Sequence, residues 1–200
     1  MTQLLPDSAM LQPDIAIDRL LTPQLYTRAA ATLALAQELV PFPSGTLRLF
    51  DFGSCWGDSL AALADEAARR ADGSFVVGSE VDTHRHAIAQ QVAGSLFDVV
   101  AVVGDGLAHL EQQQGTYDVI TALMFGPSHD GKLADRFLPA ALGALRKGGI
   151  IVINSDLLTM RTVRGRIDAM QNEVAEVCVA TPAQLAACGL ENAPLKVVRH

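Results

Sequence analysis

The stretch Leu47–Ser59, LRLFDFGSCWGDS, decides the fold. Its first half is an apolar run that ends in Asp51, and its second half holds two glycines before an alanine-rich segment begins. This pattern is typical of a buried strand that turns sharply into a helix, as in open α/β sheets. Ligands of such sheets bind outside the carboxyl ends of the strands, where glycines let the backbone come close to them.

The same strand-then-helix unit repeats from residue 46 onward. The predicted strands are Leu47–Phe52, Phe75–Glu80, Asp98–Val103, Tyr117–Leu123 and Gly149–Asn154. The predicted helices between them are Asp58–Arg70, Thr83–Ala93, Leu107–Gln113 and Leu133–Arg146. Runs that are apolar nearly throughout are expected to be parallel strands covered on both faces. The sequence therefore predicts an α/β fold with a doubly wound, mostly parallel sheet of the Rossmann-like kind.

Two further regions flank these repeats. Pro41–Gly45, rich in proline, separates an N-terminal helical pattern from the first strand. We therefore expect a helical extension or lid over residues 1–45 and a ligand-binding α/β domain over residues 46–200. Near the other end, Val174–Val179 and Leu195–Arg199 are predicted to add a hairpin-like edge to the sheet.

Charge and composition narrow the classes of partner. The net charge of −7 disfavours a broad phosphate-binding surface, so we do not expect a nucleic-acid partner. The cysteines Cys55, Cys178 and Cys188 are scattered and show no metal-ligand spacing, so we predict free thiols and no metal site. The first twenty residues lack a basic start followed by an apolar run. We expect a cytoplasmic protein without a membrane partner.

Acidic residues end three successive predicted strands. Asp51 could receive an ammonium group, Glu80 could accept from both ribose hydroxyls of an adenosine, and Asp105 could accept from the exocyclic amine of a purine. Asp82 and Asp105 are equally well placed to cap the helices that follow them. The dinucleotide fingerprint G-x-G-x-x-G is broken at its second and third glycines, which disfavours a nicotinamide oxidoreductase.

Taken together, residues 46–155 resemble the class I S-adenosylmethionine-dependent methyltransferases. The family's first motif, D-x-G-x-G-x-G, is matched by Asp51, Gly53 and Gly57, with Cys55 at the middle glycine. The later stretch FLPAALGALRKGGIIVI, Phe137–Ile153, resembles the family's helix, glycine turn and fifth strand. The resemblance implies S-adenosyl-L-methionine as the cofactor, and a seven-stranded sheet that closes with an antiparallel strand.

The resemblance also implies site residues. The expected cofactor-binding residues are Asp51, Gly53, Ser54, Cys55, Gly57, Glu80, Val81, Asp105 and Gly106. Two catalytic candidates lie elsewhere in the sequence. His129 is a candidate general base because imidazole titrates near neutrality, although it also reads as an ordinary loop histidine. Tyr26 is a candidate for covering the donor site, or else a core tyrosine with one polar end.

The function predicted from these patterns is methyl transfer to an oxygen or nitrogen of a small molecule. The signature N-P-P-[YF] of enzymes that methylate exocyclic or amide nitrogens is replaced here by Leu123–Gly126. Two alternatives stay open: a methyltransferase with a protein or RNA acceptor, and a non-catalytic subunit that binds S-adenosylmethionine. The sequence does not identify the acceptor, and it leaves a homodimer open.

Overall fold

The computed structural model describes residues 21–70, 73–96, 98–125, 131–170, 172–191 and 193–200. Within them the strands are β1 Arg48–Phe52, β2 Phe75–Ser79, β3 Val99–Val103, β4 Tyr117–Phe125, β5 Leu145–Ser155, β6 Val174–Val179 and β7 Leu195–Arg199. The helices are α1 Pro23–Leu39, α2 Asp58–Ala68, α3 Thr83–Ala93, α4 Gly106–Gln112, α5 Gly131–Ala144, α6 Leu157–Ala169 and α7 Pro182–Cys188.

The described strands form one seven-stranded sheet in the order β3-β2-β1-β4-β5-β7-β6. The first five strands pair in parallel, while β7 runs antiparallel to both β5 and β6. This confirms the predicted mostly parallel, doubly wound sheet with an antiparallel seventh strand. The strand order reverses between β1 and β4, and such a reversal opens a crevice at the carboxyl ends of the strands.

Several element boundaries differ from the sequence prediction. Strand β5 begins at Leu145, four residues before the predicted start, and α5 correspondingly ends at Ala144. Helix α6 was not among the predicted elements. The expectation that every apolar strand is covered on both faces is wrong for β3, where Val100 is 66% exposed. The reason is position, because β3 lies at the edge of the sheet, where helix cover is incomplete.

Helix α1 packs against α2 and shares the core of the sheet. Its buried residues Ala29, Leu33 and Ala36 belong to the same apolar cluster as Leu47 and Leu63. The two helices start side by side, because the Thr22 amide, one residue before α1, hydrogen-bonds the first residue of α2. The division of the chain at residue 45 stays a prediction. None of the described helices has the length and apolar character needed to cross a membrane.

Candidate functional site

The turn after β1 has an unusual backbone. Gly53, Cys55 and Gly57 all have positive φ angles, of 72°, 53° and 98°. Glycine adopts this left-handed region freely, whereas a side chain makes it costly by about 1–2 kcal/mol. Cys55 is the one non-glycine residue in this conformation in the part of the chain that the structure describes. It stands where the motif that the sequence resembles has its middle glycine, so a cysteine here adopts a backbone conformation that favours glycine.

Two serines hold this turn against the end of β2. The Ser54 amide donates to the Ser79 carbonyl at 2.6 Å, and the Ser79 amide donates back to the Ser54 hydroxyl at 3.1 Å. The Gly53 amide donates to the Ser79 hydroxyl, also at 3.1 Å. The Ser54 side chain is fully buried, so its described contacts shape the turn. A direct contact of Ser54 with a cofactor stays a prediction.

Asp51 lies fully enclosed beneath the turn. The Ser59 hydroxyl donates to its Oδ2 and the Thr121 hydroxyl to its Oδ1, each at 2.7 Å. Burial raises the pKa of this carboxyl, these hydroxyls oppose the rise, and the charge of Glu80 adds to it. Both oxygens are therefore engaged by the protein. The predicted contact between Asp51 and a ligand's ammonium group stays a prediction, and this hydrogen bonding does not favour it.

Asp58, unlike Asp51, has one carboxylate oxygen without a described hydrogen bond. It is the first residue of α2 and 1% exposed; its Oδ1 accepts from the Thr22 amide at 2.6 Å. Its Oδ2 is also buried, yet it has no hydrogen-bond partner among the described residues. Burial raises the pKa of this carboxyl. A buried polar atom without a partner costs about 1–3 kcal/mol, so this oxygen is a place where a ligand's donor group would bind favourably.

The end of β2 presents a second acidic side chain. Glu80 is 7% exposed, and its Oε1 accepts from the Asp82 amide at 2.9 Å. Only this oxygen has a hydrogen bond within the described part of the chain. The Asp82 carboxylate caps α3, as predicted, by accepting from the amides of His84 and Arg85. Val81 is 71% exposed and offers an apolar surface next to Glu80.

The end of β3 presents a third acid. Asp105 caps α4 through Oδ1 alone, which accepts from the amides of Leu107 and Ala108 at 3.0 Å. The structure thus confirms the capping alternative and leaves Oδ2 for another contact. Gly106 lies so close to β2 that a Cβ atom there would stand 2.2 Å from the Ser79 hydroxyl oxygen. Gly106 is therefore required for packing, and its contact with a cofactor stays a prediction.

Space is open above the turn. A Cβ atom built on Gly53 or on Gly104 would meet nothing within 4 Å. These two glycines follow the ends of β1 and β3, on either side of Glu80. Both acids lie near Cys55: burial is the largest cause of the raised pKa of its thiol, the Arg85 charge lowers that pKa, and the charges of Glu80 and Asp58 raise it. The arrangement is an acid-lined crevice suited to a cation that carries hydrogen-bond donors.

The catalytic candidates are not both brought to this crevice. The Tyr26 hydroxyl donates to Asp65, which lies seven residues into α2, or roughly 10 Å along the helix. This bond is the largest cause of the raised pKa of Tyr26. Its described partner thus belongs to the helix pair rather than to the strand ends. His129 lies outside the described residues, so its role as a base stays a prediction.

Sequence reasoning missed three residues that build this site. Ser79 and Thr121 were taken only as strand residues, and nothing local distinguishes their hydroxyls from other strand hydroxyls. Asp58 carried a signal, because it occupies the third-glycine position of the dinucleotide fingerprint and yet is acidic. Across the described residues, no three histidine, cysteine or acidic side chains converge as metal ligands.

Comparison with known proteins gives likeness in structure alone. No family model matches the chain, and no curated protein does. A candidate O-methyltransferase from Klebsiella pneumoniae is 20% identical, with 96% of this chain and 92% of that chain aligned at a TM-score of 0.58. An O-methyltransferase from Bacillus cereus, in complex with S-adenosylhomocysteine, is 15% identical over 96% and 93% of the two chains, at a TM-score of 0.60.

A larger enzyme shares the same arrangement. Phosphoethanolamine N-methyltransferase 1 from Haemonchus contortus, in complex with phosphoethanolamine and S-adenosylhomocysteine, is 14% identical with a TM-score of 0.62. The alignment covers 94% of this chain but only 47% of that one. At such low identity these likenesses concern architecture and not substrate. The chain has the fold of the class I S-adenosylmethionine-dependent methyltransferases.

Proposed function

We propose that this protein is an S-adenosylmethionine-dependent methyltransferase whose donor site is the crevice at the carboxyl ends of β1, β2 and β3. One observation supports this most directly: acidic side chains with unfilled acceptor oxygens surround an open glycine turn. A cationic ligand with several donor groups satisfies such a set, whereas a pyrophosphate cofactor would be repelled by it. The fold of the solved methyltransferases adds support.

The residues fit this cofactor group by group. Glu80 would hold the ribose hydroxyls through its second oxygen, and Asp105 would accept from the adenine amine through Oδ2. Asp58 would take the ammonium group through its unpartnered Oδ2, while Asp51 supports the turn from below. Val81 offers an apolar face to the adenine ring. When bound, S-adenosylmethionine supplies a methyl group that is already activated by its positively charged sulfur.

The protein itself would contribute by aligning the methyl donor with the acceptor and by excluding water from them. Positioning two reactants in line is worth up to about 7–11 kcal/mol, so no dense catalytic cluster is required. The turn's three left-handed residues and its serine hydrogen bonds fix the backbone that would face the donor. The Thr22–Asp58 bond places the start of α1 beside that backbone, where it can exclude water. His129 is the candidate for removing a proton from the acceptor.

We further propose that the acceptor is a small molecule methylated at oxygen or nitrogen. The net charge of −7 opposes a polyanionic acceptor such as RNA. A protein acceptor would need an extended groove. A cavity between α1 and the end of α7 has the size of a small-molecule site.

Calorimetric titration with S-adenosylmethionine, S-adenosylhomocysteine and NAD tests the donor site. We expect the two sulfur compounds to bind and NAD not to bind. Loss of a hydrogen bond to a charged group costs about 1.5–3 kcal/mol, so Asp58→Asn, Glu80→Gln and Asp105→Asn should each weaken binding roughly ten- to hundredfold. The control is Asp82→Asn, since both of its described bonds cap α3 and asparagine caps equally well.

Two results would overturn the proposal. One is NAD binding at least as well as S-adenosylmethionine. The other is normal donor binding by all three variants, which would place the donor elsewhere. Transfer of a labelled methyl group to fractionated cell extract then separates an enzyme from a non-catalytic binder, and a small acceptor from a macromolecule.

A further inference from the structure

A second cavity lies apart from the donor crevice. It is a groove of about 470 Å³ between one face of α1 and the end of α7. This volume falls within the range of small-molecule sites, about 300–1,000 Å³. The residues that line it are Pro23, Gln24, Thr27, Arg28, Ala31, Cys188, Gly189, Leu190 and Glu191. None of them was among the predicted site residues.

The groove lies at the carboxyl edge of the sheet, toward the β6 end of the strand order rather than the β3 end. Strands β5 and β6 run in the same direction, because each is antiparallel to β7. Helix α7 directly follows β6 and therefore lies at the same edge as the donor crevice. At the other wall, Pro23 lines the groove while its neighbour Thr22 hydrogen-bonds Asp58 at the start of α2. One end of the groove is thus adjacent to the glycine turn.

The lining combines an apolar floor with one unpaired cation. Leu190 is 8% exposed and Ala31 is half-buried, so these two form the apolar part. Arg28 is also half-buried, and its guanidinium makes no ion pair or hydrogen bond with any described residue. Apart from the backbone bonds of helix α1, its described hydrogen bond is the one that its carbonyl accepts from the Thr32 hydroxyl. Glu191 stands on the opposite wall and supplies the one acidic side chain of the lining.

An unpaired, half-buried guanidinium in a protein of net charge −7 indicates a ligand that carries the missing anion. Guanidinium is suited to carboxylate and phosphate because its planar fork donates two parallel hydrogen bonds to them. By contrast, several other described arginines have carboxylate partners: Arg69 and Arg70, just after α2, pair with Glu66, and Arg164 and Arg166 of α6 pair with Asp168 and Asp135.

We propose that this groove binds the methyl acceptor and that Arg28 binds a carboxylate or phosphate group of it. The apolar body of the acceptor lies on Leu190 and Ala31, and its reactive end points toward the glycine turn. That the ligand is a methyl acceptor rests on the proposed function. The binding of a small anion to the groove can be tested without any methyl transfer.

Cys188 gives a direct reporter, because its half-buried thiol lines the groove. We compare the alkylation rates of each cysteine by iodoacetate, an anion, and by iodoacetamide, its neutral analogue, using peptide mass spectrometry of the intact folded protein. The ratio of the two rates cancels the reactivity of the thiol itself. Cys178 is the internal control, because its thiol donates to the Glu176 carboxylate and does not line the groove.

The expected ratio is higher at Cys188 than at Cys178. Arg28→Gln should lower the ratio at Cys188 roughly three- to tenfold, the scale of about 1 kcal/mol for one charge pair in a solvated site. Arg164→Gln, at an exposed arginine already paired on α6, should leave it unchanged. An equal ratio in the wild type and in Arg28→Gln would overturn the proposal, and so would a Cys188 that neither reagent alkylates in the folded protein.

Protection by small probes then identifies the anion. Benzoate and phenyl phosphate should each slow the reaction of Cys188 with iodoacetamide in the wild type but not in Arg28→Gln, while benzyl alcohol should not protect. The anion that protects Cys188 at the lower concentration shows whether the group is a carboxylate or a phosphate. Equal protection by benzyl alcohol would refute anion recognition. Calorimetry with S-adenosylhomocysteine on the same sample tests the donor site separately, so failure of either proposal is recognised independently.

Discussion

Replacing Gly106 by alanine should destabilise the protein, and the effect can be worked out from the packing of the β3–α4 turn. The added Cβ atom would stand 2.2 Å from the hydroxyl oxygen of Ser79 and 2.6 Å from its Cβ. The hydroxyl can rotate away, but the Ser79 Cβ is fixed to strand β2. Either the strand or the turn must therefore shift.

The magnitude follows from two contributions. Forcing an extra carbon into a packed site costs about 1–3 kcal/mol. Rotation of the Ser79 hydroxyl also breaks the bond that it accepts from the Gly53 amide, worth about 1 kcal/mol. The sum, about 2–4 kcal/mol, corresponds to a fall in melting temperature of roughly 4–16 °C for a domain of this size.

Urea unfolding of Gly106→Ala, Gly104→Ala and wild type measures the effect. Gly104 is the matched control, because a Cβ atom there meets nothing within 4 Å, and its variant should stay within about 0.5 kcal/mol of wild type. Adding Ser79→Gly to Gly106→Ala should recover part of the loss, because it removes both clashing atoms. Equal stability of the two alanine variants would refute the packing argument.

Three other predictions concern single side chains of the sheet and its first turn. Because burial raises the pKa of Asp51 above its ordinary 3.8, the contribution of this carboxyl to stability is lost as pH rises. In urea titrations the free energy of unfolding of Asp51→Asn should therefore increase relative to that of wild type with increasing pH. Lys196 is fully buried and its pKa is lowered to about 8, so wild-type stability should rise relative to Lys196→Met between about pH 8 and pH 10.5, and a flat difference would contradict this. Cys55 has a left-handed backbone, so thermal melting should show that Cys55→Gly is about as stable as wild type, whereas Cys55→Val has a free energy of unfolding lower by about 1–3 kcal/mol. Equal stability of the two variants would contradict the argument from backbone strain.

The fold was predictable because its signal is local and repeated. Each buried parallel strand is a continuous apolar run, and its glycine or acid at the carboxyl end marks where the chain leaves the sheet. The Asp82 cap was predictable for the same reason, since a capping residue contacts amides only two and three positions away. The exposed face of β3 was not, because an edge strand reads in sequence like a central one.

The hydrogen bonds of the site could not be predicted from the sequence, for a physical reason. Asp51 is closed by the hydroxyl of Thr121, seventy residues further along the chain, and no local pattern shows which hydroxyl will face which carboxylate. Sequence reasoning therefore placed all three strand-end acids in direct contact with the cofactor, at its ammonium, ribose and adenine groups. The structure separates them, since both oxygens of Asp51 are engaged, whereas Glu80 and Asp105 each retain an oxygen without a described partner.

The start of α1 connects the two proposed binding sites. Thr22 donates to Oδ1 of Asp58, whose other oxygen is the proposed ammonium acceptor, and the next residue, Pro23, lines the groove that contains Arg28. An ammonium group of S-adenosylmethionine held at Oδ2 of Asp58 would fix the orientation of that carboxylate, and with it the Oδ1 atom that accepts from the Thr22 amide. Helix α1 is then fixed more firmly, and with it the wall that carries Arg28. On these assignments donor binding strengthens acceptor binding, and by linkage the acceptor strengthens donor binding by the same factor. The Asp58→Asn variant, which loses the charge, would lose this coupling even where each ligand still binds alone.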